Sequence, residues 1–498
     1  MKRSLFLVHR WLGILLCMFM ALWFLSGVVM MYVGYPKLTL QERLGSLPTL
    51  DSAVCCVSVR EALKALPADS ALRGLRLTSI AGLPTYVFAL DKNRFVAVDG
   101  QSGKLIEGVD AVMATASANA FMPGKAVYLE LVAEDAWTHS RALDGHRPLH
   151  VVEVQGASPT LLYVSSMTGE VVRDASLTER GWGWSGAWLH WLYPLRGGWV
   201  DAWWSEIVIY TSLLATLLGI SGIWTGCLRW RRQLYANGSH SPYRSLWARW
   251  HHKLGLVFGL LLVTWIVSGL FSMNPWKLFD SGAERPARSS LFLPQEGMAT
   301  DELLNCLKDN GFAASELEWT RLADSAFILA RNAEGGSRLL QATACSPFLR
   351  HEQAALEAAG ASLLPAARIA DAVVQESYDW HYYARAQHTM GGHLDRPLPV
   401  LRLAFDDEAE TWLYLDPRSG AVVLRLDGHA RVKRWLFALL HSWDWLPLLA
   451  LRPLWDILMV LGSIGGLAIS LSGAVIGWRR MTRKSGQPAA QKTSHLGG

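Results

Sequence analysis

Four stretches of the chain run without a charged residue for longer than a bilayer requires: Trp11 to Pro36, Ile207 to Leu228, Leu254 to Trp276 and Ile457 to Trp478. A hydrocarbon core of about 30 Å takes about 20 helical residues to cross, so the pattern predicts four membrane helices. Between them the polarity pattern changes. YVFAL, RFVAVDGQSGKLI and LLYVSSMTGEVV are rich in β-branched and aromatic residues and are broken by S-G or T-G pairs, which predicts strands. VREALKALPADSAL and PAARIADAVVQ have helical spacing. Each long region between helices is expected to hold two small αβ modules packed on each other.

The chain also repeats itself. At an offset of 242, His9 falls on His251, Leu12 on Leu254, Gly13 on Gly255, Trp23 on Trp265 and Ser26-Gly27 on Ser268-Gly269. At an offset of 251, LYVSSMTGEVV falls on LYLDPRSGAVV, His190 on His441, Trp204 on Trp455 and Ser221-Gly222 on Ser472-Gly473. Each half reads helix, outer domain, histidine, helix. The expected fold is a membrane α-helical four-helix bundle of two parallel internal repeats, with a pseudo-twofold axis along the membrane normal and α+β domains outside.

Cations set the orientation. The 229–253 loop holds Arg229, Arg231, Arg232, Arg244, Arg249 and Lys253 without an acid, and the tail from Arg479 has five Lys/Arg and no acid. With Lys2, Arg3 and Arg10, these segments are expected on the cytoplasmic side, and both termini with them. The first apolar run is too long for a signal peptide and no A-x-A-like site follows, so it reads as an uncleaved anchor. The division that follows is 1–36 first helix; 37–180 outer modules; 181–228 interfacial segment and second helix; 229–245 cytoplasmic loop; 246–276 third helix; 277–428 outer modules of the second half; 429–478 interfacial segment and fourth helix; 479–498 cytoplasmic tail.

Composition agrees with this division. A chain of 498 residues that is 51% hydrophobic, with 24 Trp, is too apolar for an ordinary soluble domain. Its net charge of +5 reflects the inner flanks and does not point to nucleic acid. Among the cysteines, only Cys306 and Cys345 suit an ordinary disulfide; Cys55 and Cys56 are adjacent, and Cys17 and Cys227 lie in or beside membrane helices. No C-x-x-C-H, P-loop, Rossmann fingerprint, H-E-x-x-H or G-x-S-x-G is present, which argues against covalent haem, nucleotide-driven transport and hydrolysis.

The histidines carry the candidate chemistry. His9, Gly13, Met20, Trp23 and Gly27 form one helix stripe, and His251, Gly255, Leu262, Trp265 and Gly269 form its twin. A glycine one turn after a histidine leaves a notch for something flat and wide, or for another helix. Ionisable residues inside spans are rare and face the bundle interior. The repeat sets His9 against His251 on the cytoplasmic side and His190 against His441 on the outer side, the arrangement two low-spin b-type haems require. These four are the expected ligands of haem iron. The Ser-Gly pairs are read as helix packing alone. His252 is a rival to His251, but Arg10 holds its register in the other half. A zinc or copper site from the same four is less apt, because a tetrahedral site gathers its ligands in one place.

Further candidates come from a shared Arg-Pro-Leu (147–149 and 396–398), which puts His139 in register with His388 and Arg147 with Arg396. The histidines could touch a third cofactor, a propionate or substrate, or be solvated loop residues; the arginines could pair with an anion or a local carboxylate. DWHYYARAQH, with Trp380, Tyr382, Tyr383 and Arg385, is the expected acceptor-facing surface. His240, His351, His429 and His495 are read as surface residues.

The assembly of HRWLG opening the first span, paired outer modules, RPLPVLRLAFDD (396–407) running into TWLYLDPRSG (411–420), and RPLWD (452–456) leading to SLSGAVIGWRR (470–480) resembles the PepSY-associated transmembrane family over nearly the whole chain. The resemblance implies periplasmic PepSY-like domains on a bacterial inner-membrane protein. It also implies a siderophore reductase that carries two haems on His9, His190, His251 and His441 and reduces a ferric siderophore outside the membrane. The first half departs from the pattern at RPLHVVEV (147–154), so the outer domains need not be equivalent. Quinol, a cytoplasmic flavoprotein or a partner subunit could serve as donor. A haem-free regulator that binds a periplasmic peptidase or envelope protein is the alternative. A siderophore transporter is disfavoured, since the spans between the histidines offer only Ser, Thr and Gly.

Overall fold

Helices form where the charge-free runs lie: Lys2–Met30, Trp204–Arg229, Leu246–Ser272 and Leu454–Met481. Each is long and apolar enough to cross a membrane. The computed structural model describes residues 2–67, 71–282, 297–323 and 325–482. The first helix stops at Met30, short of the charge-free limit at Pro36; the chain turns aside at Gly34, whose N–H donates to the His388 carbonyl at 2.6 Å, and Pro36 disfavours a helical Tyr35. Glu206 and Asp456 sit in the first turns of the second and fourth helices, where the helix dipole favours an acid. Around the bundle the first helix packs on the second, the second on the third, the third on the fourth and the fourth on the first. The first and third therefore stand across a diagonal, and Leu16, Met20 and Phe24 meet Leu262, Trp265 and Ile266 in one apolar core between them.

Outside the bundle, fifteen strands are found among the described residues. The first half supplies β1 (Leu72–Ile80), β2 (Leu83–Leu90), β3 (Arg94–Asp99), β4 (Lys125–Val132), β5 (Leu149–Gln155), β6 (Thr160–Ser165) and β7 (Val171–Ser176). The second supplies β8 (Glu316–Leu322), β9 (Ser325–Arg331), β10 (Ser337–Gln341), β11 (Ala344–Phe348), β12 (Ile369–Gln375), β13 (Val400–Phe405), β14 (Trp412–Leu415) and β15 (Val422–Leu426). Burial strictly alternates along β7, as expected of a strand with one face on a core. Ala81 and Gly82, both with positive φ, make the tight turn that joins β1 to β2.

β4–β7 and β12–β15 form two equivalent four-stranded antiparallel sheets. The remaining strands join across the halves in one seven-stranded sheet of order β11-β10-β9-β8-β1-β2-β3. At the seam, Leu75 pairs with Trp319 and Leu77 with Leu317, and one core holds Leu75, Tyr86 and Phe88 together with Leu303, Leu307 and Trp319. The modules within a half also touch, as Leu329 and Leu339 share a core with Leu401 and Leu403. The expected packing within each half is thus joined by a pairing between halves that the repeat did not reveal.

A buried ion network fastens this seam. Glu316 is fully buried and receives Arg43 at 2.6 Å, Arg76 at 3.1 Å and Arg331 at 3.2 Å, while Arg76 also reaches Glu170 at 2.8 Å. Burial by itself raises the Glu316 carboxyl, but Arg43, Arg76 and Arg331 outweigh it and hold the group down at about 2.

Two sequence readings are corrected here. PAARIADAVVQ ends in the strand β12, not a helix. Its Ile369, Val373 and Val374 suit either period over so short a run, and the module's helix is already supplied by Gln353–Leu363. VREALKALPADSAL is helical only over Val59–Lys64, and its residues 68–70 lie outside the described residues. A disulfide joins Cys306 to Cys345, and a second, vicinal one joins Cys55 to Cys56.

Candidate functional site

The His9 and His251 rings face each other at 6.2 Å between centroids, and the His190 and His441 rings stand at the same 6.2 Å. One metal atom between two imidazoles needs about 2 Å to each nitrogen. With the ring radii at either end this sums to roughly 6 Å. His9 and Ser26, the latter in contact with His190, are 17 residues apart on the first helix, so the two pairs lie about 25 Å apart along the bundle.

Each ring is held by a Ser-Gly pair on a neighbouring helix. His251 Nδ1 lies 3.0 Å from Ser472 Oγ and 3.1 Å from the Ile469 carbonyl; His441 Nδ1 lies 3.1 Å from Ser268 Oγ and 3.2 Å from the Trp265 carbonyl. His190 Nδ1 lies 3.0 Å from Ser26 Oγ, and His9 Nδ1 3.3 Å from the Leu218 carbonyl and 3.5 Å from Ser221 Oγ. Every one of these serines donates its own hydrogen to a carbonyl one turn back in its helix. The hydroxyls and carbonyls can therefore only accept, which places the proton on Nδ1 and leaves Nε2 bare. Among the described residues no hydrogen bond reaches Nε2 of any of the four.

The glycine of each pair makes room for the ring it faces. A Cβ on Gly222 would meet His9 Cε1 at 2.9 Å, and one on Gly473 would meet His251 Cε1 at 3.2 Å; Gly27 and Gly269 touch His190 and His441 in the same way. Reading these pairs as helix packing alone is thereby corrected. The clue was in the sequence, since all four recur at the offsets of the histidines.

Chain geometry beyond the membrane helices positions the outer pair. A π-helical turn, Trp184–Trp188 in one half and Arg434–Leu439 in the other, ends two residues before each histidine. Two residues after it the chain turns through a left-handed residue, Leu192 or Trp443. The indole of Trp204 then donates to the Trp191 carbonyl at 2.8 Å, and that of Trp455 to the Ser442 carbonyl at 3.1 Å.

A cavity of about 420 Å³ opens between His9 and His251. Eight of its lining residues are glycines, among them Gly13 and Gly255, and a Cβ on Gly255 would meet nothing within 4 Å. Gly13 and Gly255 leave space, whereas Gly219, Gly226, Gly259 and Gly477 let the side chains of a neighbouring helix come close. Among the described residues no group of three or more His, Cys, Asp or Glu could hold a metal ion alone, so each pair offers two ligands and no more.

The other candidates fall elsewhere. His252 lines the cavity, but its Nδ1 is engaged by Ser241 at 2.8 Å and its Nε2 by the Gly226 carbonyl at 2.9 Å. Strand register sets the halves 251 apart here too, since His150 lies opposite Val164 where Leu401 lies opposite Leu415. His139 thus corresponds to Met390, not His388, and Arg147 to Leu398, not Arg396; the shared Arg-Pro-Leu is a coincidence of sequence. His139 rests on Glu134 and the Tyr193 ring, whereas His388 lies between Glu42 and Glu179. Arg147 binds Asp144 and nearby carbonyls, and Arg396 the Asp395 and Val423 carbonyls.

The expected acceptor surface is mostly internal. Tyr382 is fully buried against the Tyr414 ring, and Tyr383 and Arg385 both bind Asp444, leaving Trp380 exposed. Arg434 completes this cluster with its guanidinium 4.6 Å from the Tyr383 ring. The segment serves to staple the outer domain to the chain just after His441. His351 is likewise buried, packed on Phe327, and burial lowers its imidazole to about 4; His240 is half-buried and stacks on Trp230. His495 lies outside the described residues.

Residues 6–305 match the family model described as the PepSY-associated TM region. No curated protein matches the chain. Because that match covers more than half of the sequence, the chain belongs to the PepSY-associated TM region family.

Proposed function

We propose that this chain is a dihaem electron-transfer protein of the bacterial inner membrane that reduces a periplasmic acceptor, a ferric siderophore in the first instance. The carrying observation is the double constellation of paired imidazoles, each anchored through Nδ1 with Nε2 bare, at a spacing that would let His9 and His251, and likewise His190 and His441, hold one iron between them. Two ligands per pair would suit a group that brings its remaining metal donors with it. The glycine-lined space beside His9 and His251 suits a flat one. Haem b bound at both places would supply two one-electron iron couples.

The protein's own part is to fix both imidazole tautomers, keep the inner ring between glycine faces and set the two sites about 25 Å apart, most of the hydrocarbon thickness. On this reading the two halves are parallel repeats about a pseudo-twofold axis along the membrane normal, and the domains carrying β1–β15 lie in the periplasm. The disulfides agree with an oxidising outer compartment. Siderophores hold iron(II) far less tightly than iron(III), so one electron delivered outside reduces the bound iron(III) and releases it. The donor at the inner site is a quinol or a cytoplasmic flavoprotein.

Right-side-out vesicles with a reductant trapped inside test this directly. They are expected to release iron(II) from an external ferric siderophore to a chelator, and vesicles carrying His190→Ala are not. Equal release from both would refute the reading.

A further inference from the structure

The inner cavity ends in cations that the chain itself leaves unneutralised. Arg10, Arg229 and Arg480 line it, no Asp or Glu lines it, and among the described residues none of the three arginines has an ion-pair partner. Arg229 and Arg480 stand in the last turns of the second and fourth helices, 251 residues apart, and so hold the same place in the two halves. Each lies seven residues beyond the glycine that faces a histidine, Gly222 against His9 and Gly473 against His251. Seven residues are two turns, so each arginine shares a helix face with its glycine, about 10 Å further along.

A helix C-terminus and a cytoplasmic flank both favour cations in general. Neither accounts for two equivalent arginines lining one cavity that holds no acid. Arg231 and Arg232, in the same flank, do not line it. Beside the outer histidines the corresponding places are taken by Gly34 and Trp276, so the outer site lacks the couple.

We infer that Arg229 and Arg480 bind the two carboxylates of the ring held between His9 and His251, one arginine to each, with Arg10 as a third positive charge. The inference rests on the haem reading. Guanidinium matches carboxylate with two parallel hydrogen bonds, and two arginines from equivalent positions match a ring that carries two carboxylates on one edge. The ring is then seated with its carboxylates away from the outer domains.

The test uses full-length protein in nanodiscs of uncharged phosphatidylcholine, with haem loss followed by transfer to apomyoglobin. The Arg229→Gln/Arg480→Gln variant is expected to lose one of its two haems about tenfold faster than wild type or more, the other at the wild-type rate, and the double Lys variant to fall between. Wild-type apoprotein loaded with haem dimethyl ester is expected to match the Gln variant at the inner site. This arm decides the question even if the variant fails to fold. Ester and free acid held equally well would overturn the proposal. So would a variant effect confined to nanodiscs with anionic phosphatidylglycerol, which would assign the arginines to lipid phosphate. Wild-type protein that takes up no haem at all would remove the reading on which the proposal stands.

Discussion

Ser472 holds His251: its hydroxyl lies 3.0 Å from the imidazole Nδ1 while its own hydrogen goes to the Ile469 carbonyl at 2.9 Å, so one serine sets both the tautomer and the rotation of the ring. Groups that orient a ligand in this way usually change affinity about 10- to 100-fold when removed. Ser472→Ala keeps the Ile469 carbonyl as a partner and should weaken haem binding near the lower end of that range. Haem titration into the apoprotein, followed at the Soret band, measures it. Gly473→Val should be harsher, because even its Cβ would meet Cys17 Sγ at 2.6 Å and His251 Cε1 at 3.2 Å. It is expected to abolish the inner site and spare the outer one.

Adjacent histidines separate ligand from support. His251→Ala should leave one haem per chain, whereas His252→Ala, which removes the bonds to Ser241 and Gly226 and the packing on Trp230 and Tyr243, should leave two. The pyridine haemochrome assay against protein concentration counts them. One haem in the His252→Ala protein would transfer the ligand role to that residue.

Acid should loosen the seam between the outer domains. Glu316 titrates at about 2 in the folded protein against an ordinary 4.5, so its contribution to stability is complete above the ordinary value and disappears as pH falls through the folded one. Trp319 lies on the same strand and reports the change by fluorescence. Glu316→Gln leaves Arg43 facing a neutral amide, while Arg76 keeps Glu170 and Arg331 keeps Glu318, and should cost up to about 3 kcal/mol at neutral pH, with the acid-dependent loss between about pH 5 and 2 reduced. An unchanged acid slope would show that the network does not control the seam.

The staple beside the outer pair should matter more than its exposed edge. Asp444→Ala strands the Arg385 guanidinium and the Tyr383 hydroxyl in a buried place, with an expected cost of about 3–5 kcal/mol. Trp380→Ala, at a half-exposed ring, should cost under about 1 kcal/mol. Thermal unfolding of the two variants in one detergent compares them.

Much of this architecture was legible because membrane helices and repeats leave strong one-dimensional signals. The four spans follow from missing charges, and both histidine pairs follow from offsets that aligned His9 with His251 and His190 with His441. Less was legible where partners come from distant segments. The seam of β1 with β8 has no sequence signature, because edge strands pair through backbone groups that every residue carries. The short β12 run fits two periods, and the Arg-Pro-Leu match misaligned His139 with His388 until strand register replaced it. DWHYYARAQH looked like a surface because aromatic and cationic residues suit both a binding face and a buried cluster, and only Asp444, outside the motif, decides between them. The Ser-Gly pairs were visible as repeats, but their role needed the neighbouring helix.

The count of haems in purified protein, with its reduced absorption spectrum, tests the central claim most directly. Wild type should be red, with two low-spin haems per chain, and His9→Ala and His441→Ala should each retain one, with different spectra because they empty different sites. Colourless protein from haem-replete cells, or variants that keep both haems, would contradict it.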